Sequence, residues 1–113
     1  MLYRGSCHCG DVAFEVEGEI NAAVACNCSI CSRKGALLWA VPRNDLRLST
    51  PDDAMGRYTF NNHAIAHRFC KRCGMNPFAE ETQASSSAFI NLRCIEDLDL
   101  SAIPVIAFDG RSA

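Results

Sequence analysis

Apolar residues recur at every second position in the first strand-like segment of the chain. Val12, Phe14 and Val16 are interleaved with the small Ala13 and the charged Glu15. Successive side chains of a β-strand point to opposite faces, so this period of two predicts a strand with one buried face.

Apolar runs bounded by turn residues predict the other strands. Residues 36–41 (ALLWAV) form a continuous apolar run that ends in a polar turn, which indicates a well-buried strand. Further strand candidates are residues 46–48, 57–60, 64–69, 88–94 and 105–108. Only residues 95–102, short and acidic, suggest a helix, and a simple turn is the alternative there. We therefore expect an all-β domain of two or three short antiparallel sheets with little or no helix.

Length and charge narrow the class of protein. The 113 residues, of which 49% are apolar, predict one domain over residues 1–113. A formal net charge of −2 disfavours a nucleic-acid partner, since such proteins usually carry a basic face. No segment approaches the ~18 apolar residues of a membrane span, so we expect no membrane partner either.

Eight cysteines are the unusual feature of the composition. They indicate either a secreted disulfide scaffold or a metal protein of a reducing compartment. The first residues, MLYRGSC, contain no apolar signal segment. We therefore expect a cytoplasmic protein with free thiols that bind zinc.

Two cysteine pairs predict a structural zinc site. Cys7 and Cys9 form a C-x-C motif, whose side chains share one face of a strand. Cys70 and Cys73 form a C-x-x-C motif followed by Gly74, the pattern of a zinc knuckle. Neither pair is a site alone. Together they supply four thiolates, which fill a tetrahedral zinc and leave no room for substrate.

Three further cysteines predict a different kind of site. Cys26, Cys28 and Cys31 offer three thiolates within six residues. Three protein ligands with a free position are the usual arrangement of a catalytic zinc, and the free position suits water or an incoming thiol. We expect this second zinc to be the labile one, or the site to be empty.

A fourth ligand would close this second site, and three residues are candidates for it. They are Cys94, His63 and His67, whose thiol and imidazole groups are common zinc ligands. Cys94 has two other interpretations: a small buried hydrophobic residue, or a redox nucleophile activated by the neighbouring Arg93.

Two basic residues follow the third ligand directly. Arg33 and Lys34 either meet the carboxylates of a thiol substrate such as glutathione or form a solvated turn. A homodimer is also left open, since residues 88–90 are either a free sheet edge or part of the core.

The motifs, taken in order, resemble the glutathione-dependent formaldehyde-activating enzyme family, which includes the centromere-protein-V-like proteins. The resemblance rests on GSCHCGDV at 5–12, CNCSICSRKG at 26–35, HRFCKRCG at 67–74 and NLRC at 91–94, and it ends near 108–110.

This resemblance implies a β-tent fold, the two zinc sites described above and a carbon–sulfur lyase-type activity. The implied reaction joins glutathione and formaldehyde to S-hydroxymethylglutathione, with the thiol bound at the open three-cysteine zinc. Two other functions compete: a non-catalytic zinc scaffold or interaction module, and a redox enzyme based on Cys94.

Overall fold

Ten short strands are the main secondary structure of the protein, in a computed structural model that describes residues 1–83 and 86–112. The strands are β1 (Leu2–Ser6), β2 (Ala13–Glu17), β3 (Ala23–Cys26), β4 (Leu38–Pro42), β5 (Leu46–Leu48), β6 (Met55–Tyr58), β7 (Ile65–Cys70), β8 (Phe78–Glu81), β9 (Ser87–Asn91) and β10 (Val105–Phe108). One α-helical turn, α1 (Cys31–Lys34), follows β3, and short 3₁₀ turns occur elsewhere in the described residues. The expectation of a mostly β domain is confirmed.

The strands form two sheets. Strands β1, β2 and β5 make a three-stranded sheet in the order β1-β2-β5, and the other seven make a sheet in the order β10-β3-β4-β9-β8-β7-β6. The described pairings are antiparallel except that of β10 with β3, which is parallel. The antiparallel expectation is wrong there, because the long connection after β9 lets the chain reach the free edge of β3 in the same direction.

Sequence patterns located most strands and missed three. Residues 105–108 match β10, and the alternating segment of residues 12–16 corresponds to β2. Strands β1, β3 and β8 were not predicted, because each has only four or five residues and no clear alternation. The homodimer edge proposed for residues 88–90 is wrong, since β9 lies between β4 and β8 within the sheet.

Residues 95–102 form turns and no continuous helix, so of the two alternatives for this segment the helix is wrong. Ile95 forms an isolated bridge with Gly5, and Asp97 has a φ of 57°, a left-handed conformation that no helix continues through. What helical structure exists is two 3₁₀ turns, Leu92–Cys94 and Leu100–Ala102. The Asn91 and Asp99 side chains cap these turns by accepting backbone N–H bonds. No helix in the described residues is long and apolar enough to cross a membrane.

The two faces of the larger sheet have different roles. Trp39 and Val41 of β4 and Ile90 of β9 are buried in the main core with Phe14 of β2. The intervening side chains point to the opposite face, where Leu38, Ala40 and Phe89 line a cavity. One face therefore holds the fold together, and the other carries the candidate site.

Candidate metal centres and active site

Four cysteine sulfurs meet where β1, β2 and the end of β7 come together. The Sγ atoms of Cys7, Cys9, Cys70 and Cys73 all lie within 4.8 Å of one another. The distance from Cys9 Sγ is 3.7 Å to Cys7 and 3.6 Å to Cys70. Zinc–sulfur bonds of about 2.3 Å in a tetrahedron place the sulfurs about 3.8 Å apart, so this cluster fits a four-coordinate zinc.

Backbone N–H groups are directed at these sulfurs. Val12 N donates to Cys7 Sγ over 3.2 Å, and the turn residues Arg72 and Cys73 donate to Cys70 Sγ over 3.3 and 3.4 Å. Such bonds stabilise thiolate charge and fix ligand orientation around a metal. Cys7 and Cys70 are also almost completely buried, so this centre is part of the core.

Three of the remaining four cysteines form a second cluster at the end of β3 and the start of α1. The Sγ atoms of Cys26, Cys28 and Cys31 lie within 4.8 Å of one another. Cys28 N and Cys31 N donate to the Sγ atoms of Cys26 and Cys28, over 3.5 and 3.4 Å. Within the described residues, no further Cys, His, Asp or Glu ligand atom joins these three.

The proton affinities of these thiols favour a bound cation. Burial opposes ionisation of Cys28, but hydrogen bonds from the Cys31 and Ile30 backbone and from the Cys31 and Cys26 side chains together outweigh it and lower the pKa of the Cys28 thiol. Burial and then the neighbouring Cys28 raise the pKa of Cys31 to about 12. Three thiolates therefore do not ionise together by themselves, and the donor set suits a thiophilic metal ion such as zinc.

None of the three predicted fourth ligands completes this cluster. Cys94 packs against the main core, and burial raises its pKa to about 11, with the charges of Cys7 and Cys73 adding to the effect. It therefore lies beside the four-cysteine centre and behaves as a small hydrophobic residue. The redox interpretation loses its premise, because the Arg93 guanidinium donates to Gly35 O and does not lower the Cys94 pKa.

The two histidines have other partners. His63 Nδ1 lies 2.7 Å from Thr59 Oγ1 in the loop between β6 and β7. His67 lines the cavity next to the three-cysteine cluster, but its Nδ1 lies 3.2 Å from Lys34 Nζ and its ring stacks on Phe60.

A cavity of about 420 Å³ opens beside the three cysteines on the outer face of the larger sheet. The three cysteines form part of its wall. Aliphatic and aromatic side chains form much of the rest, among them Leu38, Ala40, Phe60, Ile65, Phe89 and Phe108. A mainly apolar pocket with a few polar groups is the usual form of a small-molecule site.

Lys34 is the polar centre of this cavity. It follows Cys31 by three residues, so the two side chains share one face of α1. Its Nζ donates to Asn76 Oδ1 over 2.6 Å and contacts His67 Nδ1. Asn76 is held in turn by its Nδ2, which donates to Phe78 O over 3.0 Å. The sequence patterns did not single out Asn76. Its only signal is that it is an isolated polar residue shortly before an apolar strand.

Burial and charge act on this cation and on its histidine neighbour. Burial lowers the pKa of Lys34, while the charges of Cys31 and Cys28 oppose that effect. Burial and then the Lys34 charge lower the pKa of His67 to about 4. His67 is thus neutral at neutral pH and accepts a hydrogen bond from the ammonium at Nδ1.

Arg33 points away from the cavity that Lys34 faces. It is exposed, and its Nη1 donates to Ser29 O over 2.6 Å. It borders a neighbouring groove of about 230 Å³ that shares Ile30 and Phe60 with the main cavity. The two basic residues, predicted to act alike, are thus divided by α1 between two surfaces.

Comparison with known proteins agrees with the order of the motifs. Residues 2–108 match the family model described as glutathione-dependent formaldehyde-activating enzyme. The chain belongs to this family. A crystal structure of a protein from Rhodobacter sphaeroides is similar to it, with a TM-score of 0.79 and 28% sequence identity over 91% of this chain and 99% of that chain. The family resemblance stated from the sequence is confirmed.

Proposed function

We propose that the protein is a cytoplasmic, zinc-dependent enzyme that joins a small thiol, glutathione in the first instance, to a carbonyl compound of the formaldehyde type. The observation that carries this proposal is the three-cysteine cluster, which has no fourth ligand among residues 1–83 and 86–112 and opens onto a cavity. Membership of the family supports the choice of glutathione and formaldehyde.

The residues of the two clusters are suited to different tasks. Cys7, Cys9, Cys70 and Cys73 would hold a structural zinc, since four thiolates leave no free position. Cys26, Cys28 and Cys31 would hold a second zinc. That ion, when bound, supplies a positive charge that favours the thiolate form of a substrate thiol.

Lys34 is placed to stabilise the oxygen of the carbonyl group. An ammonium has three N–H donors, and Asn76 and His67 accept two of them. The third is free for a substrate oxygen inside the cavity. A donor fixed beforehand in an apolar site stabilises developing negative charge more than the same donor in water.

The proposed step is a simple addition. The thiol gives up its proton, its sulfur forms a bond to the carbonyl carbon, and the π electrons of the carbonyl move to oxygen. A proton then reaches that oxygen, so thiol and aldehyde become a hydroxyalkyl thioether with no redox change. Holding both reactants in one cavity supplies proximity, a large part of the rate gain in such reactions.

The groove beside Arg33 would take the outer parts of glutathione. The thiol lies in the middle of this tripeptide, whose carboxylates can stay outside the apolar cavity while the sulfur enters. The Arg33 guanidinium uses one donor on Ser29 O and keeps others for a carboxylate.

Thiol titration of the cobalt-substituted protein tests this function. We expect the cobalt spectrum to change on addition of glutathione and to remain the same with S-methylglutathione, which has no free thiol. The same glutathione should accelerate formation of the adduct above the spontaneous rate. No spectral response to any thiol, with both metals tightly held, would instead indicate a zinc scaffold.

A further inference from the structure

The cavity is much larger than formaldehyde requires. Its volume is about 420 Å³, whereas formaldehyde has two heavy atoms and needs roughly the space of one or two waters, about 30 Å³ each. Most of the cavity would remain filled with water around so small a substrate. Water near the reacting carbon weakens the electrostatic stabilisation that the site can provide.

The walls of the cavity favour an apolar occupant. Leu38 and Ala40 of β4, Phe89 of the neighbouring β9 and Ile65 of β7, which is separated from β9 by β8, project from one face of the sheet. Phe60 and Phe108 supply aromatic rings from the β6–β7 loop and from β10. A surface of this kind gains free energy by removing apolar area from water, and formaldehyde offers almost none.

The charges of the cavity do not suit the bulk of glutathione. Among the described lining residues, Lys34 is the only one with a permanent charge; two of its donors are used on Asn76 and His67, and the third is the one proposed for the carbonyl oxygen. Glutathione carries two carboxylates and an ammonium, and these groups would be left without partners inside the cavity. The apolar space is therefore available to the other reactant.

We propose that the carbonyl substrate is an aldehyde with an apolar chain or ring, of about four to eight carbons, that fills this cavity. The inference rests on the proposed function and names the second reactant of the same site. The bond-forming step is the same addition: sulfur bonds to the aldehyde carbon, the C=O π pair moves to oxygen, and the thiol proton ends on that oxygen. Formaldehyde is then only the smallest member of the substrate class.

A series of straight-chain aldehydes tests the proposal with the zinc-loaded protein. Formaldehyde, ethanal, butanal and hexanal are each reacted with glutathione, and kcat/KM is divided by the spontaneous rate constant for the same aldehyde. This ratio removes the greater intrinsic reactivity of formaldehyde. We expect it to rise by about fourfold for each added methylene up to hexanal. A ratio that is greatest for formaldehyde would overturn the proposal.

Binding of an unreactive analogue gives a second measurement that does not depend on turnover. Hexan-1-ol has four more methylenes than ethanol and should bind the zinc-loaded protein more tightly by about 200-fold, as measured by calorimetry. Equal binding of the two alcohols would contradict an apolar aldehyde site.

Two variants change the size of the cavity in opposite directions. Ala40→Phe adds a ring on the cavity face of β4. It should lower the ratio of kcat/KM to the spontaneous rate constant much more for hexanal than for formaldehyde. Phe89→Ala enlarges the cavity and should move the best chain length upward. Ala102→Phe, the same substitution at an exposed position outside the cavity lining, should leave the order of the aldehydes as it is.

The cobalt titration separates failure of this inference from failure of the proposed function. A spectral response to glutathione together with no preference for longer aldehydes would reject the apolar aldehyde and retain the thiol site. The absence of any response to thiols would reject the proposed function itself.

Discussion

Gly110 lies directly against Cys26 of the three-cysteine cluster. A Cβ atom added to Gly110 would lie 2.5 Å from Cys26 Sγ and 3.2 Å from Cys28 Cβ. The segment is held there by Asn27, whose Nδ2 donates to Asp109 Oδ1 and whose Oδ1 accepts from Arg111 N, both over 2.9 Å. The chain after β10 thus closes over the cysteines that follow β3, and no side chain fits at position 110.

Gly110→Ala should therefore weaken the three-cysteine centre and leave the other one intact. The added methyl group must displace either Cys26 Sγ or the chain segment, and a displaced sulfur no longer meets its two neighbours. The zinc content measured by metal analysis should fall from two ions per chain toward one. Arg111→Ala, which keeps the backbone bond to Asn27, is the matched control and should retain both. Two tightly held zincs in the glycine variant would contradict this account.

The two proposed metal centres should respond differently to loss of a cysteine. Cys73→Ser removes a ligand from a centre that belongs to the core, where metal binding contributes on the order of 10 kcal/mol to folding. We expect this variant to be unfolded by circular dichroism. Cys28→Ser should lose the labile metal and keep its fold. If Cys28→Ser unfolds the chain as badly as Cys73→Ser, the assignment of the second cluster to catalysis fails.

Lys34→Met should lower kcat by about 100-fold and change KM for glutathione little, because the ammonium is proposed to act on the carbonyl oxygen. Steady-state kinetics with glutathione, corrected for the spontaneous reaction, measures both constants. Lys34→Arg keeps the charge and should recover part of the rate. The exposed Arg33→Met should show the opposite pattern, with a higher KM and a nearly constant kcat. Equal losses from both variants would show that the two residues do not act separately.

His67 should make the stability of the protein depend on pH below neutrality. Its pKa is about 4 in the folded protein, below the ordinary value of 6.5, and its side chain is only 8% exposed. The unfolded chain therefore takes up a proton between these two pH values that the folded chain does not. The free energy of unfolding should be independent of this group above pH 6.5 and should fall as the pH decreases from 6.5 to 4.

Denaturant unfolding across this range, at saturating zinc, tests the pH effect. Acid also protonates the cysteine ligands, so the decisive quantity is the difference between the wild type and His67→Gln. The variant should lose less stability than the wild type between pH 6.5 and pH 4. If the free energy of unfolding depends on pH in the same way in both proteins, His67 is excluded as the titrating group.

The sequence by itself predicted the cysteine clusters and the family, because both depend on spacing along the chain. Cys26, Cys28 and Cys31 lie within six residues. The C-x-C and C-x-x-C motifs each supply only two thiols, so a site with four ligands requires both motifs. The family match over residues 2–108 rests on the same ordered motifs. Local alternation likewise predicted β2, and a continuous apolar run predicted most of β4.

Tertiary structure alone decided what surrounds the clusters. Lys34 meets Asn76, and Cys26 meets Gly110, across 42 and 84 positions of the chain respectively, and no local pattern predicts such contacts. Cys94, chemically a suitable fourth ligand, lies beside the other centre because the turn after β9 returns to β1. Spacing fixes which side chains share a strand face or a turn, whereas the pairing of distant strands determines which faces enclose a cavity and what charge it holds.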